Sequence, residues 1–210
     1  MHAYESHVVR TVTERVEVGM QRRATVVIHN TERALERALE FTPPHSSVRR
    51  VVIPNGYDNP PPDVEMDRAT FKILFSGWLY PFMDPRALLK STAALVTRHG
   101  LSPAELRIQF VGSADAMGDV ALRDIFKAFG LEAYVDLVPR LQRERALEMQ
   151  AQAAVLVAFD YPQPLCVVMK AYDYLQMPGA LLLLADPGSS LAELGDRVGC
   201  RAVAPRDVEG

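Results

Sequence analysis

The stretch LCVVMKAYDYLQMPGALLLLADPGSSL, residues 165–191, decides how the chain is read. It predicts a short helix with Lys170 and Asp173 near its first turns, a buried strand over 179–184, and a second helix opening at Ser189 or Ser190. A cation and a carboxylate three residues apart on a helix share one face. Beside the carboxyl ends of a parallel sheet, that face meets whatever occupies the ligand crevice. A lysine suits a phosphate as a compact charge, and a carboxylate suits a pair of ribose hydroxyls as an acceptor. At this spacing alone the two are a solvated surface pair worth roughly 0.2–0.5 kcal/mol. The functional reading therefore depends on the elements around them.

Working outward, the strand and helix alternate. Upstream of 165, Phe71 to Ser76 reads as a strand, and Asp84-Pro85 opens a helix to about Arg98 with Leu88, Leu89, Ala93 and Val96 inward. Leu106 to Val111 is the next strand, followed by a helix near Asp119 to Phe129 and a short strand at Val135–Val138. Gln142 to Gln152 is helical, and Ala153 to Ala158 is apolar enough for a buried strand. Downstream come a helix at Leu191–Asp196 and a sixth strand at Arg201–Ala204. Strands separated by helices of this length predict a parallel sheet with right-handed crossovers, a doubly wound α/β fold.

The first part of the chain is different. Residues 4–22 carry Val8, Val9, Val12, Val16 and Met20 at near-helical spacing. Thr25 to His29 reads as a strand, Asn30 as the N-cap of a helix from Thr31 to about Glu40, and Pro43-Pro44 as its stop. Val51 to Ile53 is a second strand, ended by the Asn55-Gly56 turn signal. Pro60-Pro61-Pro62 then fixes φ and removes backbone donors, so it predicts a stiff linker. The expected organisation is a partial N-terminal domain over 1–58, a Pro-rich linker over 59–69, and a Rossmann-like domain over 70–210. A first part this small buries little, and its apolar faces are expected to drive self-association.

Composition narrows the class. At 210 residues, with 49% hydrophobic and 23% charged residues and a net charge of −3, the chain reads as a globular protein with no basic footprint for nucleic acid. The longest apolar run, Ala180 to Ala185, falls far short of the ~20 residues a bilayer requires. The two cysteines, Cys166 and Cys200, form neither a disulfide framework nor a C-x-x-C site, and no metal or cofactor is expected. No G-x-G-x-x-G, Walker A or G-x-S-x-G pattern is present. Of the five histidines (His2, His7, His29, His45, His99), His29 ends a strand and reads as structural.

Function in such a sheet belongs to the loops after the strands. Gly77 and Gly112 follow the first two strands and let backbone approach a ligand closely. Gly112-Ser113 and Val138-Pro139-Arg140 form the next two loops, and Asp160 to Lys170 the fourth. Trp78 and Tyr80 offer ring faces for stacking, Arg140 offers a guanidinium to a phosphate, and Lys170 is the strongest single candidate.

These residues carry a resemblance. Val52-Ile53-Pro54-Asn55-Gly56-Tyr57-Asp58 is similar to the I-P-N-G-x-D hinge of retaining glycosyltransferases of the two-Rossmann-domain, B-type architecture, the group 1 or family-four kind. Phe75-Ser76-Gly77, Val111-Gly112, Val138-Pro139-Arg140 and Ala154 to Val157 follow in the family's order. Lys170-Ala171-Tyr172-Asp173-Tyr174-Leu175 resembles its K-x-[FY]-E-Y-L block, and the likeness covers roughly residues 20–210.

The resemblance implies a nucleoside-diphosphate sugar site made by Gly77, Gly112, Arg140, Lys170 and Asp173, with Asp173 on the ribose and Lys170 beside the diphosphate; Trp78, next to Gly77, joins it as a stacking candidate. It implies a parent enzyme that transfers a hexose with retention to a glycan or lipid-linked acceptor, in the cytoplasm or at the inner face of the membrane. The chain would be its donor half, without the terminal helices and inactive alone. No residue here is assigned as catalytic. Three departures stand out: Asp for the family's Glu at 173, Leu165 where an upstream glutamate is expected, and Trp-Leu-Tyr-Pro after the first strand in place of basic residues. The alternatives are a non-catalytic interaction module of the same fold and a nucleotide-sugar epimerase.

Overall fold

Parallel strands cannot be joined by tight turns, so each must be followed by a crossover, and the order of crossovers sets where a ligand can enter. The computed structural model describes residues 7–41, 47–57, 60–112, 116–117, 119–162 and 164–205. The expected helix start at residue 4, the Pro43-Pro44 stop, Asp58 of the hinge-like motif, Ser113, His2 and His45 lie outside the described residues.

The first elements are α1 (His7–Arg23), β1 (Val26–His29), α2 (Glu32–Glu40) and β2 (Arg49–Val52). β1 and β2 pair in parallel, Val26 with Arg49 through His29 with Val52, as a sheet of their own. The cap of α2 is Thr31, one residue past the expected Asn30: extended Thr31 accepts the Ala34 N–H on its Oγ1 at 3.1 Å. The same hydroxyl donates to the Leu165 carbonyl, a tertiary bond that local propensity does not contain. The apolar stripe of α1 forms as a stripe but faces solvent, with Val9, Val12, Val16 and Met20 49–68% exposed.

Next come β3 (Phe71–Ser76), α3 (Arg86–His99), β4 (Leu106–Val111), β5 (Ala116–Met117), β6 (Val120–Ala121) and α4 (Leu122–Ala128). A 3-10 turn at Glu132–Tyr134 leads into β7 (Val135–Val138), α5 (Arg143–Gln152), β8 (Val155–Phe159), α6 (Met169–Tyr174), β9 (Ala180–Leu184) and α7 (Ser190–Arg197). The main sheet is five-stranded and parallel, in the order β7-β4-β3-β8-β9. That is third, second, first, fourth, fifth along the chain, the doubly wound order. Right-handed crossovers then put α3 and α4 on one face and α5, α6 and α7 on the other. Leu74, Phe110, Leu156 and Leu183 are completely buried in it, and Phe75 packs its ring 6.0 Å from Phe110 and 5.3 Å from Phe159.

Three expectations change. The sixth strand is reduced to one bridge, Val203 with Leu184, and Pro205 removes the donor that would extend it. The helix expected from Asp119 begins at Leu122, because Val120 and Ala121 pair back onto Met117 and Ala116 as a small hairpin. In α3, Pro85 is itself the N-cap, and Asp84 reaches past it to accept the Arg86 N–H at 3.0 Å.

The edge strand β7 is clamped by charge as well as by its ladder. Arg107 on β4 pairs with Asp136 on β7, and Gln109 Nε2 donates to the same carboxylate at 3.3 Å. Burial alone would push the Asp136 carboxyl up, but the hydrogen bonds from Arg107 and Gln109 and the charges of Arg107 and Lys72 bring it below its ordinary value. A depressed carboxyl stabilises the fold above its unfolded pKa and loses that contribution as pH falls through the folded one. Asp136→Asn should therefore cost about 1 kcal/mol near neutral pH, with the deficit shrinking as pH falls below the ordinary carboxylate range. Urea titrations at several pH values measure this; a deficit that is the same at every pH would remove the ion pair from the account.

Candidate functional site

β3 and β8 are the neighbours at which the strand order reverses. They pair only at Ile73–Val155 and Leu74–Leu156, so the loops leaving their carboxyl ends enclose the switch-point crevice. Three expected residues meet there. Gly77 ends β3 with φ 138°, and a Cβ built on it would lie 3.9 Å from both Cγ and Cε of Lys170. Gly112 ends β4 with φ 131°, and a Cβ there would run into the Gly77 carbonyl oxygen. The Gly77 N–H donates to the Val111 carbonyl at 2.8 Å and the Gly112 N–H to the Val138 carbonyl at 2.9 Å, so both turns continue the ladder. Gly112 has no space for a side chain against Gly77, whereas at Gly77 the lysine stem leaves ordinary contact distance and the positive φ is what requires glycine.

Lys170 and Asp173 are both on α6, and Lys170 Nζ lies 3.2 Å from Asp173 Oδ2. Asp173 is 8% exposed, which separates it from the solvated surface pair that the spacing alone would describe. Its other oxygen, Oδ1, faces Arg143 at 3.6 Å, from the start of α5. The cluster is thus two cations around one carboxylate. A carboxylate so placed orients the cations and still has lone pairs for hydroxyl donors. Arg143 was not singled out from the sequence: a charged residue opening a polar helix carries no local signal, and the sheet order alone brings it across to α6.

Beneath this cluster a buried polar group ties α6 to β3. The Ser76 N–H donates to the Tyr174 phenol oxygen at 2.9 Å, the phenol donates to the Ser76 carbonyl at 3.4 Å, and Gln150 Nε2 donates to Ser76 Oγ at 3.2 Å. Complete burial pushes the Tyr174 phenol far above its ordinary value, so it remains a hydrogen-bond donor at any working pH.

The remaining candidates lie at the margin. Trp78 is 58% exposed on the Gly77 loop. Arg140 is exposed after β7, and the described contacts do not bring it to the Lys170–Asp173 pair. Asp160, at the end of β8, is a titratable group the sequence did not single out. Burial raises its carboxyl, Ser189 and the Tyr161 N–H pull it back, and the charge of Asp186 raises it further. A cavity of about 960 Å³ opens between α1, α2 and the Leu165–Cys166 turn, with His29 on its wall. Burial and the Arg50 charge lower the His29 imidazole, Glu17 acts the other way, and its Nε2 is buried without a partner. Leu165, where an acid was expected, lines the same cavity. Among the described residues no group of His, Cys, Asp and Glu could hold a metal, and no helix is long and apolar enough to cross a membrane.

This fold is that of about half of a B-type retaining glycosyltransferase, an α/β unit with a five-stranded parallel sheet. No family model and no curated protein sequence matches the chain. Among solved structures, the trehalose-6-phosphate synthase OtsA is similar over 98% of this chain and 55% of its own, at 14% identity and a TM-score of 0.66. Sucrose-phosphate synthase from Thermosynechococcus elongatus is similar over 94% of this chain and 50% of its own, at 16% identity and a TM-score of 0.61. HepE of Anabaena, in complex with UDP-glucose, is similar over 90% of this chain and 57% of its own, at 16% identity and a TM-score of 0.59. The chain spans about half the length of each, and at these identities the likeness establishes the fold alone.

Two substitutions test the local geometry. Tyr174→Phe leaves the buried Ser76 N–H without its acceptor and should cost about 1–3 kcal/mol in urea unfolding. Gly112→Ala forces a methyl group against the Gly77 carbonyl at a backbone angle alanine avoids, and should cost at least that, roughly 1–3 kcal/mol or more. A neutral result for either would mean that the strand ends are not held as described.

Proposed function

We propose that this chain is the donor-binding half of a retaining glycosyltransferase and takes a nucleoside-diphosphate sugar at the β3–β8 crevice. The observation that carries this reading is the meeting of the Gly77 turn, Lys170 and the buried Asp173 at the switch point of the sheet. Lys170 supplies positive charge where diphosphate departs, and stabilising charge that develops on a leaving group is the main demand of the transfer. Asp173 accepts from the ribose hydroxyls, with Arg143 keeping its carboxylate oriented. Gly77 leaves room for a phosphate beside Lys170, and Gly112 keeps the two strand ends together next to it. Trp78 and Arg140 border the same ligand from the outer loops. The fold likeness to HepE, whose structure holds UDP-glucose, and to an E. coli structure described as trehalose-6-phosphate bound with UDP-2-fluoro glucose, supports UDP as the first nucleotide to test.

The reading divides the chain into an N-terminal portion to residue 58, a linker over 59–69 and the donor domain over 70–210. Its acceptor is a glycan or a lipid-linked sugar, bound largely outside this chain. The exposed stripe of α1, with Val26 and Ile28 of β1 also exposed, is apolar enough to associate with a second copy.

A second reading, a binding module without catalysis, is favoured by one feature: Leu165 puts an aliphatic side chain where the family has a glutamate. Calorimetric titration with UDP, GDP and ADP and their glucose conjugates tests the donor site. One nucleotide should bind, and Lys170→Ala and Asp173→Asn should each weaken it at least tenfold. Heat from none of the three would end the donor-site reading. Binding without donor hydrolysis or transfer in a chain carrying both domains would favour the module.

A further inference from the structure

After β3 the chain runs Trp78-Leu79-Tyr80-Pro81-Phe82-Met83, and of these only Leu79 and Met83 are buried. Leu79 is 2% exposed and Met83 6%, while Tyr80 and Phe82 are 40% and 38% exposed. The Met83 N–H closes the turn onto the Tyr80 carbonyl at 2.9 Å. The two buried residues anchor the loop, so the rings face outward by construction of the turn and not for want of a core. Tyr80 and Phe82 stack with planes 3° apart and centroids 5.2 Å apart. Tyr161, from the loop after β8, closes on them at 6.3 Å and 5.7 Å and is itself 37% exposed. Two loops distant in sequence thus build one aromatic shelf on the lip of the β3–β8 crevice, and Trp78 precedes it on the first of them.

The chemistry of the shelf selects its occupant. An aromatic face is electron-rich, and the axial C–H bonds on one side of a pyranose ring present a weakly positive apolar surface of the same width. No Lys or Arg occurs in residues 78–83 or 159–162, so the shelf offers nothing to a phosphate. Its polar neighbours are the phenol hydroxyls and the Asp160 carboxylate, whose Oδ1 accepts the Tyr161 N–H at 2.8 Å. Such groups hydrogen-bond to an uncharged polyhydroxylated ring.

We propose that Tyr80, Phe82 and Tyr161 form a subsite for an uncharged pyranose ring of the acceptor, separate from the donor residues at Lys170 and Asp173. The assignment to the acceptor rests on the donor reading; the sugar-binding shelf itself does not. Trp78, the chain's single tryptophan, lies two residues before Tyr80 on the same loop and serves as the fluorescence probe. Its emission is followed while gluco-, galacto-, manno- and N-acetylglucosamine tetrasaccharides are titrated to millimolar concentration, with UDP binding measured separately by calorimetry.

At least one saccharide should shift the Trp78 emission saturably. Tyr80→Ala and Phe82→Ala should weaken that response at least tenfold, while UDP affinity stays within about twofold and urea midpoints are unchanged. Tyr161→Phe, which keeps the ring, should retain most of the response, and Tyr161→Ala should not. No response to any of the four sugars, or a response that survives loss of both Tyr80 and Phe82 rings, overturns the shelf. Saccharide binding without nucleotide binding would uphold the shelf and remove the donor reading.

Discussion

The bond from the Ser76 backbone N–H to the Tyr174 phenol joins the end of β3 to α6, and the geometry of the crevice depends on it. β3 and β8 share only a short ladder, so backbone pairing does not hold their carboxyl ends in register. The buried phenol supplies the missing constraint at a place where water cannot compete for it. With α6 held there, Lys170 lies across Gly77 and Asp173 is carried into the protein, where Arg143 meets it from α5. A polar group this deeply buried is costly unless bonded, which makes the arrangement specific: few alternative packings satisfy the Ser76 N–H and the Tyr174 phenol together, while Gln150 joins them through Nε2 and leaves its buried Oε1 without a partner.

The N-terminal elements are positioned by few but definite contacts. The Thr31 hydroxyl donates to the Leu165 carbonyl, and Arg33 Nε lies 2.6 Å from Glu193 Oε1 on α7. Both anchor points follow strands β8 and β9, so the carboxyl end of β1 faces the same side of the molecule as the switch point. The cavity lined by His29, Leu165 and Cys166 is a product of that meeting. Burial and the Arg50 charge lower the pKa of its histidine.

Charge and aromatic surface are separated around the crevice. Lys170, Arg143 and Asp173 lie together on helices α5 and α6, whereas the rings of Tyr80, Phe82 and Tyr161 are grouped on loops. The segment Trp78-Leu79-Tyr80-Pro81 after β3 carries no basic residue, so this lip of the crevice is apolar.

Local pattern was sufficient for much of this molecule. The apolar runs at Phe71–Ser76, Leu106–Val111 and Ala180–Leu184 could only be buried strands, the helices between them forced parallel pairing, and Ser189 capped α7 as its position suggested. Lys170, Asp173, Gly77 and Gly112 were legible because each sits directly after a strand or on a short helix with an evident start. What local pattern could not contain was anything made by two distant segments at once. Thr31 displaced Asn30 as a cap because its hydroxyl had a second partner far along the chain. The stripe on α1 looked like a core face and is exposed, because periodicity says which residues share a face and not what that face meets. Arg143 beside Asp173, Ser76 beneath Tyr174, and Tyr161 against Phe82 were settled by tertiary packing, since the strand order, not the spacing along the chain, brings those side chains together.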